Sequence, residues 1–461
     1  MKKQFAILAA TLVLGFLAEV AAQDAPEKGV LRLPNFLASH MVLQRNKPIV
    51  IQGWGKVGAK IKVSLGNENV ATSVEKTGRW ELSLKARKAN TKPVDLKVES
   101  GTQTITLTDI LIGDVWLGSG QSNMQAGLGG DDVKAAKHPQ IRLFNVSTSR
   151  DSLAKLSLKA RKANAPTEDL DGTWKVCSPE TAGGFSAVLF HFGARLQKEV
   201  SIPIGLINSS RGASAIEPWT TYPNRSNHLY LAVIAPLRKQ GIAGCIWFQG
   251  ETNVMFKNGL TYFGKMKDLI EGWRGNWGQD MPFYYVHLTP CTAEGYAPGE
   301  LPKVWEAQTK ALTLPHTGMA VITDLAGDLG MHPRDKHGIG NRLARWALAK
   351  TYDKDIAFSG PLFKGIEIRG NKARLSFAHA KGLKSSDGKA LTEFKIVTVE
   401  GKLVPAQAKI DGDIVVVSSK DVIPVAVQFG WHKTAQPNLV NGAGLPAAPF
   451  HSDNWQGGTG E

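Results

Sequence analysis

A serine lies in a glycine-rich turn directly after an apolar segment of the chain. Residues 109–117 are apolar enough for a buried strand, and the next five residues, Gly118 to Ser122, are small or polar. Open parallel sheets bind their ligands beyond the carboxyl ends of the strands. A serine exposed at that edge, with backbone N–H groups nearby, meets the requirements of an activated nucleophile with an oxyanion site. The alternative interpretation is a polar turn without chemistry.

A serine nucleophile needs a base within hydrogen-bonding reach, and the chain offers eleven histidines. His332 has the best position, because it follows a predicted strand and a glycine-rich loop and precedes a helix. This order places it on the same sheet edge as Ser122. His337 is expected on the surface of that helix, and His287, inside a strand, is expected in the core. His228 is a weaker rival.

A second polar segment follows another buried strand. It runs from Trp247 to Asn253 and contains Gln249, whose amide is of the kind that donates to a developing oxyanion. The alternative interpretation is a helix N-terminus capped by Thr252. The local residues leave both interpretations open.

The segment Gly113 to Met124 resembles the Gly-Asp-Val-Trp-x-x-x-Gly-Gln-Ser-Asn-Met block of the sialate O-acetylesterases. These are SGNH (GDSL-like) carbohydrate esterases related to acetylxylan esterases. The chain lacks the Gly-x-Ser-x-Gly elbow of the α/β-hydrolases, since Met124 stands at its second glycine. The resemblance covers about residues 30–455 and implies a serine carboxylic-ester hydrolase that forms an acetyl-enzyme intermediate.

The resemblance also implies the roles of individual residues. His332 lies in a His-Pro-Arg segment like the one in which the family carries its base. Gln249 matches the family's Trp-x-Gln-Gly-Glu-x-Asn block, in which the glutamine amide joins the oxyanion hole. Gly212 matches a glycine whose N–H completes that hole, together with the N–H of Ser122.

The acid that orients the histidine departs from the family pattern. Relatives usually have an aspartate two positions before the histidine, where this chain has Gly330. Asp328, four positions before His332, and Glu251 are the candidates to replace it, and a backbone carbonyl is the third. The loss of an orienting acid costs up to ~10⁴ in rate where the wrong histidine tautomer results.

Four polar residues beside these motifs are predicted to bind the substrate. They are Gln121, Asn123, Arg211 and Asn253. Relatives usually have tryptophan in place of Arg211. A guanidinium pairs well with a carboxylate, which would suit an acidic sugar. A solvent-facing side chain is the alternative.

The composition is that of a globular protein with a net positive charge. The 461 residues carry a formal net charge of +15, but Lys and Arg are scattered and no nucleic-acid-binding motif is present, which favours a solvated surface. Cys177, Cys245 and Cys291 are too few for a disulfide scaffold, and Cys245 is expected in the core. No metal-ligand spacing, P-loop or dinucleotide fingerprint occurs, so we predict no metal, cofactor or nucleic-acid partner.

The elements that position these residues are predicted to fall into four segments. Residues 1–22 have the charged start, short apolar run and small residues of a cleavable signal peptide, which predicts a secreted or periplasmic protein without membrane contact after cleavage. Residues 28–108 are predicted to form a β-domain, and residues 354–455 a β-rich region, both of sandwich type. Residues 109–353 alternate strands and helices, which predicts an SGNH-like three-layer α/β/α domain with a mostly parallel sheet.

One octapeptide occurs twice. The eight residues from Ser83 to Asn90 recur letter for letter from Ser157 to Asn164. An isolated identity of this length is not a solenoid repeat. We expect the second copy in a surface loop.

Together these features predict a secreted carbohydrate O-acetylesterase whose substrate resembles 9-O-acetylated sialic acid. An acetylxylan-esterase-type activity on plant polysaccharide is the first alternative. A glycan-binding homologue with impaired catalysis is the second, motivated by Gly330. A binder of anionic polymers, driven by charge alone, is the third and predicts strong salt dependence.

Overall fold

The computed structural model describes residues 29–147, 150–221 and 227–452. The predicted signal peptide, residues 1–22, lies outside the described residues. Among the helices that are described, none combines the length and apolar character needed to cross a bilayer.

The described strands and helices follow in chain order. The strands are β1 (Val42–Gln44), β2 (Ile49–Trp54), β3 (Lys60–Leu65), β4 (Glu68–Ser73), β5 (Arg79–Leu84), β6 (Asn90–Ser100), β7 (Gln103–Gly120), β8 (His138–Asn145), β9 (Trp174–Cys177), β10 (Ile204–Ser210), β11 (Gly244–Phe248), β12 (Phe283–Val286), β13 (Thr317–Ala320), β14 (Leu362–Arg369), β15 (Lys372–Ala378), β16 (Lys384–Ser385), β17 (Phe394–Val397), β18 (Leu403–Pro405), β19 (Gln407–Asp411), β20 (Ile414–Ser418), β21 (Ala426–Phe429), β22 (Leu439–Val440) and β23 (Phe450–His451). The α-helices are α1 (Ser122–Gln125), α2 (Gly130–Lys134), α3 (Arg150–Ala163), α4 (Pro179–Ala182), α5 (Ala187–Val200), α6 (Glu251–Met255), α7 (Gly259–Trp277), α8 (Glu300–Lys310) and α9 (Lys336–Lys350). Short 3₁₀ helices span Glu217–Trp219, Ala235–Leu237, Ala311–Thr313 and Thr323–Leu325, and a π-helix spans Tyr230–Ile234.

The chain forms two compact units. The first comprises the described residues up to Pro34 with Val50–Leu84 and Asp95–Leu107, and the second comprises Asn35–Ile49, Lys85–Val94 and the chain from Thr108 onward. In the first unit β3 pairs antiparallel with β4 and with β6, and alternate residues of β3 are buried, as expected for a sheet with one face on a core. The predicted domain boundaries at 28–108, 109–353 and 354–455 stay predictions.

The second unit contains a path of seven hydrogen-bonded strands in the order β13-β12-β11-β7-β10-β8-β9. Every neighbouring pair is parallel except β8 with β9. All residues of β10 and β11 are buried, which is typical of parallel strands covered on both faces. The predicted mostly parallel α/β fold is confirmed.

Helices cover both faces of this sheet. On one face, a Cβ at Gly118 of β7 would contact Leu189 of α5. Trp247 of β11 is the cross-strand partner of Ser119, and its ring packs edge-on against Trp273 of α7. Because successive side chains of a strand point to opposite faces, α5 and α7 lie on opposite sides of the sheet. The described unit therefore has three layers.

Gly120 directs the chain out of the sheet toward the predicted nucleophile. Its φ of 134° is in the region that favours glycine, and a Cβ there would collide with the carbonyl oxygen of Phe248. Gln121 follows as the N-cap of α1, whose first residue is Ser122. The serine is thereby placed at the carboxyl edge of the central strand.

The carboxy-terminal part of the second unit is a β-sandwich. One sheet has the strand order β14-β15-β20-β19 and the other β18-β17-β21-β23. One apolar cluster includes Leu375 and Val415 from the first sheet and Ile396 and Val427 from the second. The prediction of a β-rich region after residue 354 agrees with these strands.

The two copies of the octapeptide adopt different structures. In the first copy Ser83 and Leu84 end β5, and Leu84 is buried. The second copy lies in α3 up to Ala163, where Leu158 is 54% exposed. The expectation of a loop for the second copy was wrong, because Leu, Lys, Arg and Ala are good helix formers.

Candidate active site

The hydroxyl of Ser122 and the imidazole of His332 meet at the carboxyl edge of the sheet. Ser122 Oγ lies 2.9 Å from His332 Nε2, although 210 positions separate the two residues in the chain. Ser122 is half-buried and His332 is exposed, so a substrate has access to both. A hydroxyl at this distance from an imidazole nitrogen has the geometry of a nucleophile with its base.

The loop that carries His332 is held at two carbonyl groups. The carbonyl of Leu329 accepts a hydrogen bond from the N–H of Thr292 at 3.0 Å. The carbonyl of Met331 accepts one from Asn123 Nδ2, also at 3.0 Å. Helix α9 begins directly afterwards, where the Asp335 carboxylate accepts a hydrogen bond from the N–H of Gly338. The imidazole is therefore positioned by contacts on both sides.

Asn123 is the centre of a buried polar network below the Ser122–His332 pair. Its Nδ2 donates to Glu251 Oε1 at 2.5 Å, and its Oδ1 accepts from Lys336 Nζ at 2.6 Å. Asn123 thus connects the serine helix, the histidine loop and the start of α6. Among the described residues, Glu251 Oε2 has no hydrogen-bond partner.

Burial controls the protonation of this network. Burial raises the pKa of Glu251, while the hydrogen bond from Asn123 and the charge of Lys336 oppose that rise. Burial also lowers the pKa of Lys336 to about 8, against the opposing charge of Glu251. Partial burial and the charge of Lys336 lower the pKa of His332, which favours the neutral imidazole that a base requires.

Neither predicted acid partner forms a hydrogen bond or ion pair with His332. Asp328 accepts a hydrogen bond from the N–H of Gly330 at 3.2 Å and forms an exposed ion pair with Arg334 at 3.4 Å. Glu251 binds Asn123 instead. Within the described ranges, Ser122 is the single hydrogen-bond partner of the His332 ring. The orienting roles of Asp328 and Glu251 stay predictions without direct contact in their favour.

The predicted oxyanion donors lie beside Ser122. A Cβ at Gly212 would lie 3.6 Å from Ser122 Cβ, so the N–H of Gly212 is next to the nucleophile. This N–H donates to Gln125 Oε1 at 2.7 Å. Ser122 is the first residue of α1, and its N–H belongs to the group that has no intrahelical acceptor. An amide oxygen thus occupies one side of the predicted oxyanion site.

Gln249 is fully buried, and its amide has protein partners. Nε2 lies 2.8 to 3.1 Å from Asn253 Oδ1, the carbonyl of Ser214 and Gln121 Oε1, and Oε1 accepts from the Tyr262 hydroxyl. Its predicted role as an oxyanion donor would require one of these bonds to be exchanged for the substrate. That role stays a prediction.

Three of the four predicted substrate-binding residues are buried. Gln121 and Asn253 belong to the Gln249 network, and Asn123 joins Glu251 to Lys336. Arg211 is half-buried beside Gly212. The buried three support the site from below, and Arg211 is the one near the surface.

Sequence reasoning missed two residues of the site. Lys336 follows His332 by four positions at the start of α9, and Gln125 follows Ser122 by three in α1. For Gln125 the available signal was helical spacing of three residues, which puts side chains on one face. No such signal pointed to Lys336, because His332 lies in the loop before α9.

None of the three cysteines forms a disulfide. Cys177, Cys245 and Cys291 are all free and buried. The described ranges contain no group of three or more His, Cys, Asp or Glu side chains arranged to hold a metal ion.

Comparison with known proteins identifies the family. The family described as carbohydrate esterase, sialic acid-specific acetylesterase, matches residues 112–349. Human sialate O-acetylesterase is 30% identical over 439 residues, which cover 81% of this chain and 81% of the human protein. Mouse sialate O-acetylesterase is 29% identical, covering 80% and 82%. The crystal structure of a carbohydrate acetylesterase from Xanthomonas citri has a TM-score of 0.85 and 35% identity, and covers 92% of this chain and 100% of that one. The chain therefore belongs to the sialic acid-specific acetylesterase family of carbohydrate esterases and is a serine carboxylic-ester hydrolase.

Proposed function

We propose that this protein removes acetyl groups from carbohydrates with Ser122 as nucleophile and His332 as base, and that its substrate resembles 9-O-acetylated sialic acid. The observation that carries the proposal is the distance of 2.9 Å between Ser122 Oγ and His332 Nε2 at an accessible sheet edge. The names of the human and Xanthomonas citri relatives support the substrate class.

The proposed reaction has two halves. His332 Nε2 takes the proton from the Ser122 hydroxyl as Oγ bonds to the acetyl carbonyl carbon. The tetrahedral intermediate then collapses, the ester bond breaks, and the proton passes to the departing sugar oxygen. In the second half a water molecule loses a proton to His332 and attacks the acetyl-enzyme, which releases acetate and restores the serine.

The N–H groups of Ser122 and Gly212 are proposed to stabilise the oxyanion. Such donors act through charge that develops only in the transition state. Because Gln125 Oε1 accepts the N–H of Gly212 in this structure, substrate binding must displace that amide oxygen. The Gln249 amide is proposed as the third donor, provided that substrate binding replaces one of its present hydrogen bonds, such as that to Asn253 Oδ1.

We further propose export of the mature protein. The support is the pattern of residues 1–22, with two lysines, an apolar run and small residues, which is typical of bacterial-type signal peptides.

A direct test of the proposed function is acetate release by the purified protein. We expect release from 9-O-acetylated sialic acid, and acetylated xylan is the competing substrate. Preference for xylan would favour the plant-polysaccharide activity. Sugar binding without any acetate release would favour the impaired homologue that Gly330 suggests.

The pH dependence of the reaction follows from His332. The base must be neutral, and its pKa is lowered by burial and by the charge of Lys336. We therefore expect kcat/KM to hold at neutral pH and to fall only as the pH drops through a value below the ordinary 6.5 of histidine. In Lys336→Gln the neighbouring charge is removed, so the pKa of His332 rises and the acid limb moves to higher pH. Profiles of kcat/KM for p-nitrophenyl acetate measure this, and an acid limb that stays in place or moves lower contradicts it.

A further inference from the structure

A polar cleft of about 600 Å³ lies beside the proposed catalytic pair. Its lining includes Gln125 of α1, Asn145 at the carboxyl end of β8, Lys175 of β9 and Gly183 after α4. Its volume is within the range of ligand pockets in proteins. We call it the Asn145 cleft.

The Asn145 cleft adjoins the nucleophile on two independent grounds. Gln125 is one of its walls, and the same side chain accepts the N–H of Gly212 next to Ser122. The strand register gives the second ground, because Asn208 of β10 pairs with Asn145 on one side and with Gly118 of β7 on the other. The cleft thus lies on the carboxyl edge of the sheet that carries Ser122, where ligands of such sheets bind.

The groups that face the Asn145 cleft suit neutral hydroxylated rings. Asn145 Oδ1 accepts from Asn208 Nδ2 at 2.7 Å, and no described residue accepts a hydrogen bond from the Asn145 amide N–H groups. Exposed Thr173 adds a hydroxyl. Among the described lining residues there is one cation, Lys175, and one anion, Asp171, so their charges balance in number. A carboxylate ligand is best recognised by unmatched cations.

We propose that the Asn145 cleft binds the hydroxyl groups of a neutral sugar unit linked to the acetylated one, so that acetylated oligosaccharides are better substrates than acetylated monosaccharides. This assignment rests on the proposed function. The cleft would recognise the sugar next to the acetylated one, and it lies on the side of Ser122 where Gln125 is found. Arg211, the predicted partner of an acidic sugar, is not part of this lining.

Gly183 allows the cleft to be filled with little disturbance of the backbone. Its φ of −56° and ψ of 131° suit any residue, and a Cβ there meets no atom within 4 Å. Because Gly183 lines the cleft, we expect a tryptophan at this position to fill part of it. Gly264, an exposed glycine of α7 whose Cβ would also meet nothing within 4 Å, provides the matched control.

The test compares Gly183→Trp and Gly264→Trp with wild type on three probes: 9-O-acetylated sialic acid linked to neutral oligosaccharides of increasing length, free 9-O-acetylated sialic acid, and p-nitrophenyl acetate. We expect wild-type kcat/KM to rise with oligosaccharide length. In Gly183→Trp the ratio of kcat/KM for oligosaccharide to that for p-nitrophenyl acetate should fall at least about tenfold, the scale of one lost set of pocket contacts. Gly264→Trp should keep the wild-type ratio.

Three results overturn the assignment. They are an unchanged ratio in Gly183→Trp, a wild-type enzyme indifferent to oligosaccharide length, and a loss confined to free 9-O-acetylated sialic acid, which would assign the cleft to an acidic sugar. A wild-type protein that releases no acetate from any sugar contradicts the proposed function instead, so the two failures are distinguishable.

Discussion

Ser122→Ala is expected to lose acetate release by a factor on the order of 10³ or more, because removal of an activated nucleophile eliminates the acyl-enzyme route. The 2.9 Å contact with His332 is the structural reason to select this serine among those near the sheet edge. Acetate release from an acetylated sugar and hydrolysis of p-nitrophenyl acetate measure the loss. A serine-directed organophosphonate should label the wild type and leave the variant unlabelled.

Ser119→Ala is the matched control for this variant. Ser119 is buried in β7 three positions earlier, and its hydroxyl has no hydrogen-bond partner among the described residues. Removing it should leave both activity and labelling near wild type. If Ser122→Ala kept its activity while it remained folded, the serine would have no part in the mechanism.

His332→Ala is expected to lower kcat by roughly 10²–10⁴, the range of general acid–base catalysis. Without the imidazole, the Ser122 hydroxyl has no acceptor for its proton at neutral pH. Unchanged thermal unfolding should accompany the loss, because His332 is exposed and lies in a loop held through Leu329 and Met331 rather than through its own ring.

Two control variants distinguish the effect of losing His332 from the effects of losing nearby charged or histidine side chains. His337→Ala removes an exposed histidine of α9 that contacts Asn341, and activity should stay near wild type. Asp328→Asn removes the exposed partner of Arg334, and since exposed ion pairs contribute little, we expect a change within about threefold. A loss in Asp328→Asn as large as that of His332→Ala would show that Asp328 orients the base through a movement of its loop.

The sequence motifs predicted the reacting residues of the site but not the hydrogen-bond partners around them. Ser122 and His332 could be selected from the sequence because each follows a predicted strand, and parallel strands bring their carboxyl ends to one edge. The partners of the polar side chains could not be selected in this way. From the sequence, Asn123 was predicted to bind substrate and Glu251 to be a candidate acid. In the fold the two side chains are buried and hydrogen-bonded to each other, and Lys336 also donates to Asn123. Which polar groups meet depends on packing between loops that are far apart in the chain.

The sequence by itself determined the mostly parallel α/β fold, the strand-rich regions around it and the family, because these follow from alternation of apolar residues and from long local motifs. The tertiary structure alone decided the partners of Asp328 and Gln249 and the cleft beside Gln125. The repeated octapeptide shows the reason. The same leucine is buried in a strand as Leu84 and exposed on a helix as Leu158. Local propensity is a weak preference that the surrounding contacts override, so identical residues take the structure their neighbours stabilise.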